Sequence, residues 1–229
     1  MRTLFNHWKA FQLLPSAWLL LVQMLLLLMA PLTNQGMSSH AVSWCLGAIA
    51  LLLIAKVIKQ TPIYTAVGLV LVTGALGLSA TLLLGVGGLR TQVAANVVEA
   101  AAYLYGAYGL FRYMFMDRYV TRDELFAAAT LFTLVAWAFA FLYNACQTLY
   151  PGSFNAVAEG HLQRSWLDLL FLSFSIQSGT GLSDIVPVSP AARVLVSLQM
   201  FCGVMYLALI VSRLVTMQYV HRMPGQKDE

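Results

Sequence analysis

The sequence predicts an all-α membrane protein of six transmembrane helices, with a re-entrant half-length helix between the fifth and the sixth. Three observations carry this expectation: the scarcity of charge, the length of the apolar runs, and the side on which the basic residues fall. Of 229 residues, 60% are hydrophobic and only 10% are charged, against roughly 25% charged in an average soluble domain. So few charges do not cover the surface of a soluble fold of this size, whereas lipid solvates an apolar exterior. The three cysteines, Cys45, Cys146 and Cys202, lie in apolar runs with no metal or disulfide spacing and read as small core hydrophobes.

A spanning helix needs about 20 predominantly apolar residues. Such runs extend from about Pro15 to Leu32, Val42 to Ile58, Tyr64 to Leu89, Val93 to Met116, Glu124 to Tyr150 and Ala191 to Val220. The segment from Trp166 to Ile176 is apolar but too short to span. It fits a re-entrant helix, which persists at membrane depth only when buried in protein or lining a wet cavity. The first run reads as a retained span, because it is long and no A-x-A site follows it.

Charge placement agrees with six crossings. With the N-terminus inside, Arg2, Lys9, Lys56, Lys59, Arg112, Arg118, Arg122, Arg213, Arg222 and Lys227 are cytoplasmic. Only Arg90, Arg164 and Arg193 are outside, the asymmetry that the positive-inside rule expects. Both termini are then cytoplasmic and the half-length helix is entered from outside, as suits a multi-pass protein of a bacterial inner membrane. The organisation read from this is a four-span N-terminal unit over residues 1–123, a second unit over 124–220, and a short tail over 221–229, too brief for a folded regulatory module.

Several features take their bland readings. The run Gly85-Val-Gly-Gly-Leu-Arg90 has neither the lysine of a phosphate loop nor a strand before it, and reads as a helix end. Tyr103, Tyr105, Tyr108 and Tyr113 read as packing and interface residues, and Trp8, Trp18, Trp44 and Trp166 as an interfacial belt. The fourth span has no arginine before Arg112, so it lacks the ladder of a voltage sensor. Glu99 is the one ionisable residue deep in the first four spans. Intramembrane acids are functional candidates by default, and the alternative is a carboxyl held by a helix neighbour, with Tyr103 one turn away. The histidines are scattered, and no catalytic constellation, nucleic-acid signature, cofactor motif or metal-ligand spacing recurs, which argues against an enzyme.

The most informative stretch is Trp166-Leu-Asp-Leu-Leu-Phe-Leu-Ser-Phe-Ser-Ile-Gln-Ser-Gly-Thr-Gly-Leu-Ser-Asp-Ile-Val-Pro187. A short apolar helix runs into glycines and small residues, then an acid and a proline. Glycines reach backbone conformations closed to other residues, and a ring of carbonyls turned to an axis replaces an ion's hydration shell. The C-terminal dipole end of a helix entering from outside favours a cation. Residues Asp168 to Val215 resemble the pore module of potassium channels, especially small prokaryotic members, which carry a pore helix, a T-x-G-Y-G-D filter, an I-V-P link and an inner helix. Asp168, Ser173 and Phe174 fall on common pore-helix positions, Asp184-Ile-Val-Pro-Val-Ser-Pro190 on the filter exit, and Met205 to Val215 on the inner helix.

The resemblance implies a homotetramer around one central pore in the lipid bilayer, with Gly179, Thr180, Gly181, Leu182, Ser183 and Asp184 as the conduction filter and Gly203 as the gating hinge. It implies passive conduction of potassium or another monovalent cation, with no cofactor and no metal beyond the permeant ion. In the ungapped register Gly181 keeps the first signature glycine and Asp184 the acid, packed behind the filter. Gly179 replaces threonine, Thr180 takes the valine position, Leu182 the tyrosine and Ser183 the second glycine. A shifted register makes Gly179-Thr180-Gly181 the signature triplet. These departures imply weaker discrimination of potassium over sodium, to be sharpened by combining Ser183→Gly with Gly179→Thr. They also leave room for a non-conducting channel-like protein serving membrane interaction or immunity. A secondary transporter is disfavoured, because paired broken helices in two halves are absent.

Overall fold

The computed structural model describes residues 15–29, 62–116, 122–156 and 163–222. The second predicted span, from Val42 to Ile58, and the tail over 223–229 lie outside the described residues. Among these residues the chain is overwhelmingly helical: α1 Pro15–Met29, α2 Pro62–Leu83, α3 Leu89–Met116, α4 Arg122–Leu149, the half-length α5 Trp166–Gln177 and the long α6 Pro190–Arg222. Two of them are long and apolar enough to cross a membrane, over Leu125–Leu149 and Pro190–Arg213, and Ser16–Met29, Ala66–Leu82 and Trp166–Gln177 are shorter apolar helices. This composition is that of an all-α membrane protein.

Local chemistry sets the helix ends. At the end of α2, Gly85 adopts φ +72°; Gly85 N–H donates to the Leu82 carbonyl and Val86 N–H to the Thr81 carbonyl. This is the left-handed C-terminal closure that glycine permits, and it accounts for the glycine-rich patch as a helix end. The third predicted span is correspondingly shorter than its apolar run. Ser165 caps α5: its Oγ accepts from Asp168 N–H at 3.2 Å, and Asp168 Oδ2 accepts from Ser165 N–H at 3.0 Å. Asp168 thus closes a capping box, which is the role of an acid in a first helical turn. Ser189 and Pro190 start α6, with Ser189 Oγ accepting from Ala192 N–H at 3.2 Å, as expected of a serine cap followed by proline at the first helical position.

The helix α4 is the central post. Leu19 and Leu26 of α1, Val72 and Ala75 of α2, Tyr103 and Leu110 of α3 and Leu170 of α5 share one apolar core with Leu131, Leu134 and Trp137 of α4. Polar rungs cross the same contact: Ser16 Oγ donates to Asp123 Oδ2 at 3.1 Å, Thr130 Oγ1 to the Ser16 carbonyl at 3.1 Å, and Thr133 Oγ1 to Gln23 Oε1 at 2.5 Å. Tyr103 stacks on Trp137 with ring centroids 6.1 Å apart. Trp166 is only half-buried and packs on Phe141 at 4.4 Å, so its ring also belongs to the seam between α5 and α4. A second core lies beneath α5, where Phe139, Tyr143 and Cys146 meet Phe154, Leu169, Leu172, Ile185 and Val196.

One feature departs from a purely helical picture. Phe154–Ala156 (β1) pairs antiparallel with Ile185–Pro187 (β2), in the register Phe154↔Pro187, Asn155↔Val186 and Ala156↔Ile185. The segment leaving the glycine-rich loop is therefore anchored as a strand.

Candidate functional site

The loop between α5 and β2 is built by its backbone. Gly179 and Gly181 sit at φ +71° and +65°, where a side chain is strained. Successive N–H groups turn back onto the end of α5. Ser178 donates to the Phe174 carbonyl at 3.0 Å, Gly179 to Ile176 at 3.1 Å, and Thr180 and Gly181 to Ser175 at 3.1 and 3.3 Å. Ser183 N–H donates to Ser175 Oγ at 3.1 Å. Among the described residues no hydrogen bond reaches the carbonyls of Ser178 through Ser183. Donors are thus consumed on the protein side, and a run of carbonyl oxygens is left free on a strand whose residues Ser178 to Leu182 are exposed in a single copy.

Ser175 is the hub of this loop, and sequence reasoning passed over it as one more residue of an apolar helix. Its carbonyl also accepts from Ser178 Oγ at 3.2 Å and from Thr180 Oγ1 at 3.3 Å. Thr180 Oγ1 further pairs with Ser178 Oγ at 3.0 Å. Leu182 is 75% exposed in a single copy. Ser183 takes the second glycine position without strain: among the described residues only glycines have positive φ, and its Oγ accepts from Ile185 N–H at 3.2 Å. Asp184, expected behind the loop, is exposed in a single copy.

The backbone angles also overturn the proposed sharpening substitution. Threonine at position 179 carries a branched Cβ into a left-handed conformation, which costs about 2 kcal/mol. Gly179→Thr is therefore expected to lower the thermal stability of the assembled protein and to disorder the loop, while Ser183→Gly, which only removes the acceptor of Ile185 N–H, is expected to cost less, about 1 kcal/mol. Thermal unfolding of the two purified variants checks this.

Behind the loop lies a buried amide network that joins three helices. Gln199 Nε2, on α6, donates to the Ser173 carbonyl at 3.1 Å, Ser173 Oγ at 2.6 Å and Gln177 Oε1 at 3.0 Å. Gln199 Oε1 accepts from the Tyr143 hydroxyl. Gln177 Nε2 donates to the Phe132 carbonyl at 2.9 Å, and Ser173 Oγ to the Ala136 carbonyl at 2.6 Å. Gln177, Gln199 and Ser173 are fully buried. The signal for this network was present as polar residues interrupting apolar runs, but their partners lie 22 to 56 residues away.

Gly203 is one turn further along α6. A Cβ there would stand 2.5 Å from the Gln177 carbonyl oxygen and 3.0 Å from its Cα. The helix runs unbroken from Pro190 to Arg222, so the glycine's visible work is close approach of α6 to the end of α5. Glu99 lies away from the loop, on α3, and its Oε1 accepts from Ser79 Oγ of α2 at 2.8 Å. Its hydrogen-bond partner thus lies on a neighbouring helix. Arg213 of α6 sits over the Phe115 ring of α3, 4.8 Å from the centroid. No cluster of histidine, cysteine and acidic side chains suited to a metal occurs among the described residues.

Residues 127–219 match the family model described as "Ion channel". The match takes in most of α4, β1, α5, the glycine loop, β2 and most of α6. No curated protein and no solved structure matches the chain.

Proposed function

From the ion-channel domain that residues 127–219 form, we propose that the chain conducts monovalent cations passively, potassium first among them, through a pore built by four copies. The observation that carries the reading is the loop's one-sided use of its backbone. N–H groups from Ser178 to Gly181, and that of Ser183, are bonded inward, and the carbonyl oxygens of the loop stay available to line a shared axis in an assembly. Carbonyl rings bind cations by replacing hydration water, and the C-terminal end of α5 adds the negative pole of its dipole. Gly179, Thr180, Gly181, Leu182, Ser183 and Asp184 form the filter, and the serine-rich cradle at Ser175 holds it.

Fourfold assembly follows because one copy supplies only one wall of a carbonyl cage. It is supported by α6, along which Val194, Leu198, Phe201, Val204, Val211 and Val215 are all more than half exposed in a single copy. So much apolar area on one helix needs lipid or other copies to cover it. In this reading α6 lines the pore and its neighbours' walls, bending at Gly203 opens the inner end, and both termini face the cytoplasm. Glu99 serves the contact between α2 and α3, and we assign no enzymatic activity. Purified protein in a mild detergent is expected to have the mass of four copies, with cysteines placed at positions 204 and 211 cross-linking between copies. A stable monomer contradicts the proposal.

A further inference from the structure

The outer end of the filter is held through a chain of side-chain amides that begins outside the ion-channel domain. The exit strand β2 pairs with β1, and Val188 N–H donates to the Ser153 carbonyl at 2.8 Å. On its other side β1 is tied to Arg164, whose Nε donates to the Phe154 carbonyl at 3.3 Å. Arg164 is only 5% exposed, and its backbone is gripped at two points by Gln147 of α4. Arg164 N–H donates to Gln147 Oε1 at 2.9 Å, and Gln147 Nε2 donates to the Arg164 carbonyl at 3.0 Å. The same Nε2 donates to Asn144 Oδ1 at 3.0 Å, and Asn144 Nδ2 donates to Asn96 Oδ1 at 2.9 Å on α3. Asn96 Nδ2 closes the chain on the Gln92 carbonyl at 2.9 Å.

Each link is directional. Removing any one amide leaves a donor or acceptor unpaired in a partly or wholly buried place, so the links stand or loosen together. Arg164 also immediately precedes Ser165, the cap of α5. One backbone grip therefore fixes both the start of the pore helix and, through Phe154, the strand that leaves the filter.

We propose that Arg164, held by Gln147, is the positioning residue of the filter exit, and that Asn96 and Asn144 extend this hold to α3. The helices preceding the ion-channel domain thereby tune the pore's outer end. The proposal rests on the reading of Ser178 to Asp184 as a conducting filter.

The test uses the full chain in lipid nanodiscs and planar bilayers, with Asn96→Ala, Gln147→Met and the two combined. Amide exchange over residues 183–189 is expected to speed about tenfold in either single variant, the effect of losing a buried hydrogen bond. The potassium-to-sodium permeability ratio is expected to shift about fivefold. The double variant should be no worse than the more severe single one, since both cut one chain. A merely structural role lowers the yield of assembled protein while leaving exchange and permeability ratio at wild-type values, and that result overturns the proposal. Fully additive effects overturn it as well. Should Gln147→Met fail to assemble, Asn96→Ala decides alone, because Asn96 touches neither filter nor strand. A wild-type protein that passes no ion sinks the conducting reading itself. The exchange measurement then still judges the positioning claim, and unchanged exchange in Asn96→Ala refutes it.

Discussion

Gly203→Val is expected to abolish the assembled protein. A side chain at this position meets the Gln177 carbonyl oxygen at 2.5 Å and the Gln177 Cα at 3.0 Å. Both are backbone atoms, which cannot swing aside as a flexible side chain can. α6 must then move away from the end of α5, dragging Gln199 out of its network one turn earlier. Overpacking a close contact costs about 3 kcal/mol or more for a branched residue against fixed backbone. Gly203→Ala presents only the Cβ and is expected to cost less, with a lowered melting temperature but detectable assembly. Thermal unfolding and native mass measurement of the two variants give the comparison. If valine is tolerated with an unchanged melting temperature, α6 and α5 do not approach as closely as described.

The second large effect is expected at Gln199. Replacing it with leucine removes an acceptor from the Tyr143 hydroxyl and a donor from both Ser173 and Gln177 Oε1. Each stranded buried group costs about 1–3 kcal/mol, so Gln199→Leu is expected to destabilise the fold by about 4 kcal/mol. The consequence for conduction follows from position. Gln177 lies two residues before Gly179, so loosening it frees the end of α5 on which the N–H groups of the proposed filter rest. Channels that survive should show briefer openings and a lower unitary current. Wild-type stability together with unaltered openings in Gln199→Leu would mean that the network is dispensable.

Among the described residues, the two helices long and apolar enough to cross a membrane were legible in the sequence. α4 and α6 fall within two residues of their predicted limits, and α5 runs Trp166–Gln177 where Trp166 to Ile176 was expected, because composition alone decides such segments in lipid. The glycine loop was legible too, since glycines flanked by small residues after an apolar half-helix have few other uses. What could not be read was how polar side chains inside apolar runs find each other. Ser175, Gln177 and Gln199 show in the sequence only as polar interruptions of apolar runs, and the amides of Asn96, Asn144 and Gln147 acquire meaning only when α3, α4 and the start of α5 are brought together. The strand pairing of Phe154–Ala156 with Ile185–Pro187 escaped for the same reason, as three-residue strands joined across some thirty positions leave no periodicity. Which loop positions need a left-handed backbone was not legible either, because a motif gives residue types and not φ angles. Here the left-handed positions are 179 and 181.

The central claim is that free carbonyls of the loop form a cation path, and the bi-ionic reversal potential of purified tetramers in planar bilayers tests it most directly. With potassium on one side and sodium on the other, the account predicts a cation current. Its reversal potential should lie between zero and that of an ideally potassium-selective pore, because Gly179 contributes no side-chain ligand and Leu182 and Ser183 alter the outer cage. Intact tetramers that pass no ion, or that pass anions, would contradict the account and return the chain to the reading of a channel-like protein that does not conduct.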